Sequence, residues 1–438
     1  MSGKIQRRDF IKTSALATFG AGVALNADIA RAQNAGDRVT VGFIGTGRMG
    51  QSNIKTFMRH PEVEVAAVCD VYKPNLDAAL KLTDGKAKAL KDFRQLLEMK
   101  EIQAVVVSSP DHWHPLHTIM ACQAGKDVYV EKPISVYLEE GRQMVRAARR
   151  YQKIVQVGTQ QRSGIHFQKA VELIRAGHIG KVSFVRAWNV GNIFPDGIGN
   201  PPDSDPPADL DWDLWLGPAP KVPFNANRFG VHPERWSSFR WFWNYAGGMM
   251  TDWGVHLLDI VQWAMNAEAP STISAQGGKL YLQDNRETPD TLQVTYEYPG
   301  FVCVYENREC NGARLDGHGY GICFHGTLGT MFLDRAGFEV TPEKSGGVNK
   351  CEPVSVKSSN NHNFDHARNF LDCIKSRKLP ICDVEIGHRS SSVAQLGNIA
   401  YRTKSHLAWD GQAERFKKNK QADKLLAARY RKPWKLTV

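Results

Sequence analysis

The sequence predicts an α/β protein of two domains. The first is a doubly wound parallel sheet; the second is an α/β domain whose strands read as antiparallel. Three observations predict this. The chain has 438 residues, more than one ordinary core accommodates. From Val39 to Val157 short apolar strands alternate with amphipathic helices, the pattern of a parallel sheet with helices on both faces. After Thr159 the alternation gives way to long Trp- and Pro-rich segments and then to strand–turn–strand runs. Residues 38–158 are assigned to the first domain and 159–402 to the second.

Within the first domain, "RVTVGFIGTGRMG" is a strand entering a Gly-rich turn, "QSNIKTFMRH" a helix and "VEVAAVCD" a second strand. "NLDAALKL" and "DFRQLLEM" space their apolar residues three and four apart, as helices do. "AVVVSSP" is a buried strand, "HPLHTIMACQAG" a helix stopped at Gly125, "DVYVEKP" another strand, "EEGRQMVRAARRYQ" a helix and "IVQVGT" a strand. In the second domain "SGIHFQKAVELIRAGHIG" is a helix with a glycine stop. The aromatic loop around "PPDSDPPADLDWDLWLGPAP" is long enough to suggest function. "TLQVTYEYP", "FVCVYENRE", "YGICFHGTLGTMFLD" and "GFEVTP" read as strands. "NNHNFDHARNFLDCIKSR" and "IGHRSSSVAQLGNIAYRTK" read as helices closing that domain.

Composition is that of an ordinary globular chain, with 42% hydrophobic and 23% charged residues and a formal charge of +11. Residues 1–32 have a basic start with Arg7-Arg8, a mildly apolar middle and a small-residue end at Ala30-Arg31-Ala32. They predict a twin-arginine export signal and a periplasmic protein. Without that leader the charge is near +8. Residues 403–438 form a basic tail, read as a solvated terminal helix with an extended end rather than a nucleic-acid contact. No segment is apolar and long enough for stable membrane insertion. The eight cysteines form no CxxC pair and read as small buried hydrophobes.

Gly45-Thr-Gly47-Arg48-Met49-Gly50 follows a strand and opens a helix. The first glycine permits the tight turn, the second admits a pyrophosphate to the backbone, and the third lets helix and strand pack closely. The helix N-terminus then faces the phosphates. Asp70 ends the next strand, 20 residues after Gly50, where a carboxylate hydrogen-bonds ribose hydroxyls. A carboxylate there favours NAD over NADP, a preference that nearby Lys73 weakens. Ser108–His114 lies at the carboxyl end of a sheet strand, where ligands bind. Three readings of it are open: a metal site built on Asp111, His112 and His114; a capping loop with Pro115 in a first helical turn; or a pocket wall. The lack of a Cys or HExxH partner leaves no metal expected. As a pocket wall it places Ser109, Pro110, His112 and His114 beside a dinucleotide and Trp113 beside a sugar. Glu131 and Lys132 follow the next strand, and Lys132 points into the same crevice, placed to polarise or deprotonate a hydroxyl. In "GGMMTDWGVHLLDIVQW", Asp252, His256 and Asp259 fall at i, i+4 and i+7 on one helical face. His256 is a candidate base, Asp252 its holder or that of a hydroxyl, and Asp259 either orients the imidazole or caps a contact.

The GTGRMG turn, the DHWH loop, Glu131-Lys132-Pro133 and Asp252-x3-His256 together resemble the Gfo/Idh/MocA oxidoreductases, over residues 38 to about 402. The resemblance implies a Rossmann domain followed by an α/β domain with an open, mostly antiparallel sheet, sugar, polyol or glycoside substrates, and a homo-oligomer. It carries the catalytic roles onto Lys132, Asp252 and His256. The leader, "LDWDLWLGPAP" and "FRWFWNYAGG" look like an exported branch, which also resembles NAD-dependent glycosidases. The nearest of those replace EKP by a lysine-free motif, so Lys132 favours alcohol oxidation. The expected function is therefore an exported NAD-dependent sugar oxidoreductase. Its cofactor is held tightly, because free NAD is scarce outside the cytoplasm, and the twin-arginine route carries folded proteins. Redox-neutral glycoside cleavage and a non-catalytic sugar-binding protein are the alternatives. Trp113, Trp241 and Trp243 are expected to stack on pyranose faces, and Arg162 and Arg240 to bind hydroxyls or a carboxylate.

Overall fold

The computed structural model describes residues 38–230 and 237–438. The expected export signal lies outside the described residues. Six strands make the first sheet: β1 (Val39–Ile44), β2 (Val63–Cys69), β3 (Lys88–Leu90), β4 (Ala104–Val107), β5 (Asp127–Val130) and β6 (Val155–Val157). They lie in the order β3-β2-β1-β4-β5-β6, and every pair is parallel. β4 and β5 are wholly buried, as strands covered on both faces must be. The strand order reverses between β1 and β4. The turn after β1, entering helix α1 (Arg48–Phe57), and the loop after β4, entering α2 (His114–Gln123), therefore open one crevice between them.

α2 and α3 (Leu138–Arg150) cover one face, packing Leu116, Ile119, Met144 and Val145 on Val105, Val128 and Val130. α1 covers the other with Ile54 and Phe57. The remainder of that face is closed by α6 (His362–Ser376), whose Ala367, Phe370 and Leu371 pack on Val41, Phe43 and Val106. The sequence reading gave α6 to the second domain; its apolar stripe packs on the sheet of the first. Helical periodicity identified the element but does not say which sheet its apolar stripe meets.

The second domain is built on a ten-stranded sheet. Its members are β7 (Val182–Val190), β8 (Thr272–Gly278), β9 (Thr291–Tyr298), β10 (Phe301–Arg308), β11 (Tyr320–Gly326), β12 (Gly329–Leu333), β13 (Gly337–Pro342), β14 (Val354–Lys357), β15 (Leu407–Asp410) and β16 (Arg415–Phe416). The order is β14-β13-β12-β11-β7-β10-β9-β8-β15-β16. All pairs are antiparallel except β7 with β10. In β9, Leu292, Val294, Tyr296 and Tyr298 point inward and the alternate residues outward. The inward face packs on α5 (Gly248–Met265) and α7 (Val384–Thr403), through Val255, Leu258, Val393 and Leu396, with α4 (Ile165–Arg175) beside them. These labels omit the helix Lys73–Leu82 after β2, the short helix Phe93–Glu98 after β3, the short strands and helices of the aromatic loop, and the short elements Lys344–Ser345, Val348–Asn349 and Lys420–Asp423.

Two further corrections concern strands. β7 and β8 were not foreseen, although β7 sits in the middle of the sheet. The supposed tail is structured: β15 pairs with β8 across Ile273 and Leu407. Farther on, Tyr430, Trp434, Leu436 and Val438 pack on the first domain, and Arg431 Nη1 lies 2.6 Å from Asp213 Oδ1. The basic residues of this segment hid its regularly placed aromatic and aliphatic contacts.

Candidate functional site

The crevice opens into a cavity of about 1340 Å³ reaching from the Gly-rich turn to α5. Gly45 has φ +81°, and a Cβ on it would sit 2.4 Å from Ser109 N, so the two loops touch only because this residue lacks a side chain. A Cβ on Gly50 would meet the Gly45 carbonyl oxygen at 2.0 Å. Gly47 differs: the nearest atom to its Cβ position is Asn75 Nδ2 at 3.6 Å, and it lines the cavity with Arg48 and Met49. Gly47 also caps α1 with no side-chain bond, so the first N–H groups of α1 are uncapped by any side chain there. This cradle fits a pyrophosphate. Asp70 lines the cavity beyond it. Its Oδ2 accepts hydrogen bonds from Thr46 N (2.7 Å) and Oγ1 (3.2 Å), and its Oδ1 one from Tyr72 N (2.9 Å). Two donors fill Oδ2, so a ribose hydroxyl would be accepted at Oδ1. Burial raises the Asp70 carboxyl above its ordinary value, against these donors.

At the far end the two domains meet. Lys132, after β5, donates from Nζ to Asp252 Oδ1 (2.8 Å) and to the Asp252 carbonyl (2.9 Å). Arg240 Nε donates to the same Oδ1 at 3.1 Å. These cations hold the Asp252 carboxyl well below the carboxylate range, although burial opposes them. One turn along α5, His256 lines the cavity. Its Nδ1 is buried without a partner, and Nε2 is the ring nitrogen left to address the cavity. Burial and the charges of Lys132 and Arg335 hold its pKa well below 6.5, so the ring is neutral.

Two family models match this architecture. "Oxidoreductase family, NAD-binding Rossmann fold" matches residues 39–159, and "Oxidoreductase family, C-terminal alpha/beta domain" matches 188–327 and 355–436. The chain belongs to the Gfo/Idh/MocA oxidoreductase family. As a Gfo/Idh/MocA protein it has an NAD-binding Rossmann domain. Among curated proteins it is similar to a "Glycosyl hydrolase family 109 protein" of Shewanella baltica (strain OS195). The two are 31% identical over 203 residues, 41% of this chain and 44% of that protein. It is 29% identical over 204 residues to an "Alpha-N-acetylgalactosaminidase" of Shewanella oneidensis, with the same coverage. The match thus spans less than half the length of these relatives. Among solved structures, WlbA dehydrogenase of Bordetella pertussis, in complex with NADH and UDP-GlcNAcA, has a TM-score of 0.63 at 18% identity, covering 85% of this chain and 99% of that one. Levoglucosan dehydrogenase, in complex with NADH and levoglucosan, has a TM-score of 0.65 at 17% identity, covering 85% and 99%. At such identities these two show the fold.

Within this Gfo/Idh/MocA chain the predicted site residues divide. Ser109, Pro110, His114, Glu131, Lys132, Arg240 and Trp241 line the cavity together. Glu131 sits at its base, where its Oε1 accepts from Asn53 Nδ2 at 3.0 Å. Both nitrogens of His114 face carbonyls, Pro133 O and Ser109 O, each at 2.7 Å, while burial pushes the ring down to about 4. His114 thus ties the two strand-end loops together.

Other placements correct the sequence reading. His112 lies off the cavity lining, with Nε2 on Trp215 O at 3.1 Å and its ring against Tyr245, and burial holds it at about 3. Trp113 lines the cavity, but His117 stacks on its ring at 4.6 Å, Trp434 meets its edge, and a Cβ on Gly217 would reach Cζ2 at 2.1 Å. Its faces are packed rather than offered to a sugar. Arg162 is 5% exposed and lies off the lining, with Nε 2.8 Å from Asp259 Oδ2. Asp259 also accepts from Ser390 Oγ and so does not orient His256. Trp243 packs against Tyr401 and Arg402 away from this cavity.

The sequence reading passed over Arg335, Gln161, Trp253, Asn189 and Glu309, all of which line the cavity. Glu309 accepts from Trp241 Nε1 at 3.1 Å and from Arg286 Nη1 at 2.6 Å, and burial raises it to about 7. The signal was weak, since these residues lie singly on separate elements: Asn189, Glu309 and Arg335 near strand ends, Gln161 in a short turn and Trp253 on α5. Among the described residues no group of three or more His, Cys, Asp and Glu is placed to hold a metal ion, and no helix is long and apolar enough to cross a membrane.

Proposed function

We propose that the protein is an NAD-dependent oxidoreductase acting on a hydroxyl-bearing carbon of a sugar, polyol or glycoside. The observation that carries this reading is the Lys132–Asp252 contact beside His256, in the cavity that the Gly-rich turn and Asp70 also line. Gly47, the α1 N-terminus and Asp70 would hold the dinucleotide, whose nicotinamide would supply the two-electron acceptor. His256 takes the proton of the substrate hydroxyl. Lys132 stabilises the negative charge developing on that oxygen, and Asp252 fixes the ammonium in place. Asp70 favours NAD over NADP, because a 2′-phosphate would meet its carboxylate. We further propose that the protein is exported and works with a tightly held cofactor, as a homo-oligomer. Denaturing the purified protein and assaying released NAD tests cofactor retention; protein free of NAD after isolation overturns it.

A second reading is favoured by the two glycosidase-named relatives: redox-neutral cleavage. Hydride transfer to bound NAD would give a transient ketone that acidifies the adjacent C–H; loss of that proton would expel the glycosidic oxygen, water would add to the resulting enone, and the hydride returned from the cofactor would restore the hydroxyl. Incubation with aryl glycosides separates the two readings. Aglycone release without accumulation of reduced cofactor selects cleavage; reduction without aglycone release selects oxidation.

A further inference from the structure

The reacting end of the cavity carries three cations, Lys132, Arg240 and Arg335. Lys132 and Arg240 both reach Asp252. Arg335 reaches no carboxylate within 4.0 Å among the described residues. Its polar contacts are two long ones to Gln161 Oε1, from Nε and Nη2 at 3.4 Å each, and its guanidinium lies over the Trp253 ring, 4.8 Å from the centroid.

The local chain explains this placement. Arg335 sits in the turn between β12 and β13. Its neighbour Asp334 uses Oδ1 to accept from Ala336 N (2.7 Å) and Gly337 N (3.2 Å), and its Oδ2 lies 3.4 Å from His318. The carboxylate nearest in sequence therefore fixes the turn and leaves the guanidinium to the cavity. Burial lowers the Arg335 pKa, and only the more distant Tyr320 and Asp252 oppose that. Arg335 in turn depresses His256, which places its charge at the reacting end rather than at the pyrophosphate cradle. Of the acids facing these cations, Asp252 is already paired with Lys132 and Arg240, and burial raises Glu131 above its ordinary value and Asp111 to about 7. The reacting end is thus a half-buried positive site with a flat indole wall. A guanidinium fork matches the two oxygens of a carboxylate, and a single arginine suits a single negative charge.

We propose that Arg335 binds a carboxylate on the substrate, so that the preferred substrate class is an acidic sugar, a uronate or a uronate-bearing glycoside, rather than a neutral hexose. This rests on the sugar-oxidising reading given above.

The test uses the full-length protein with NAD and matched pairs: glucuronate with glucose, galacturonate with galactose, mannuronate with mannose, and the corresponding hexose 6-phosphates. Binding is read by competition and turnover by reduced-cofactor absorbance. At least one uronate is expected to bind about 10- to 100-fold more tightly than its neutral hexose, as a charge-assisted contact implies. Arg335→Gln is expected to erase that preference while its NAD affinity stays at the wild-type value, and Arg335→Lys to restore part of it. Neutral hexoses binding as well as every uronate, a preference for 6-phosphates alone, or a uronate preference kept in a folded Arg335→Gln protein each overturns the proposal. Should the variants not fold, the wild-type pairs decide alone. Oxidation of neutral sugars without uronate preference defeats this inference only; no NAD binding and no oxidation of any sugar defeats the functional reading beneath it.

Discussion

The ammonium of Lys132 lies 2.8 Å from Oδ1 of Asp252, joining the end of a Rossmann strand to the first turns of α5 in the second domain, 120 residues away. Neither residue is fully sealed, with side-chain exposures of 13% and 22%, so the pair faces the cavity rather than serving as buried packing. Removing the lysine leaves Asp252 with Arg240 alone. Lys132→Met is expected to lower kcat by roughly 10²- to 10⁴-fold with NAD affinity unchanged. Steady-state kinetics beside cofactor titration checks this; equal losses in both would mean a structural role.

Burial and two nearby cations hold the His256 pKa well below its ordinary value of 6.5. Its folded-state value is depressed, so protonation is resisted as pH falls. The pH profile of kcat/KM should therefore show no acid limb centred near the ordinary histidine value. His256→Asn should lower kcat by a factor on the order of 10²–10⁴. A limb near pH 6.5 that disappears in this variant would contradict the assignment.

Asp70 accepts from Thr46 and Tyr72 and turns to the cavity. Asp70→Ser should weaken NAD binding about tenfold, the cost of one charge-assisted hydrogen bond, and narrow the gap to NADP. Parallel titrations with the two dinucleotides measure it, and an unchanged ratio would remove Asp70 from cofactor choice.

Asp111 is buried and raised to about 7. Its folded-state pKa lies above its unfolded value near 3.8, so its contribution is fully present below about pH 4 and is lost as pH rises through 7. Asp111→Asn should flatten that fall, making the variant more stable than wild type above pH 7 by about 1–4 kcal/mol. Thermal unfolding across pH 4–8 tests the sign.

Arg162 and Asp259 form a sealed ion pair, 6% and 0% exposed at the side chain. Asp259→Ala leaves a buried guanidinium uncompensated and should cost about 3–5 kcal/mol of stability. Folded variant should keep near-normal kcat. A large kcat loss in fully folded protein would return Arg162 or Asp259 to the site.

The sequence made the first domain legible because its signals are local: a strand, a glycine turn, a helix and an acid at fixed spacing. Lys132, Asp252 and His256 were legible for the same reason, each lying in a short motif. Arg162 misled because an arginine near a strand end looks the same whether it meets a ligand or a buried Asp259. Trp113 misled because its partners Trp434 and Gly217 lie far along the chain. Arg335 was silent, since its lack of a carboxylate partner exists only in three dimensions. α6 showed its periodicity but not its destination, and β7 was obscured because its outward positions carry Phe184 and Arg186 instead of a clean alternation.

The most direct measurement is single-turnover absorbance of the NAD-loaded protein mixed with a panel of neutral and acidic sugars, run beside Lys132→Met. Reduction of bound cofactor by at least one sugar is expected in the wild type, with near-complete loss in the variant. Reduction at the wild-type rate in Lys132→Met, or no sugar of the panel changing the cofactor's redox state, would contradict this expectation.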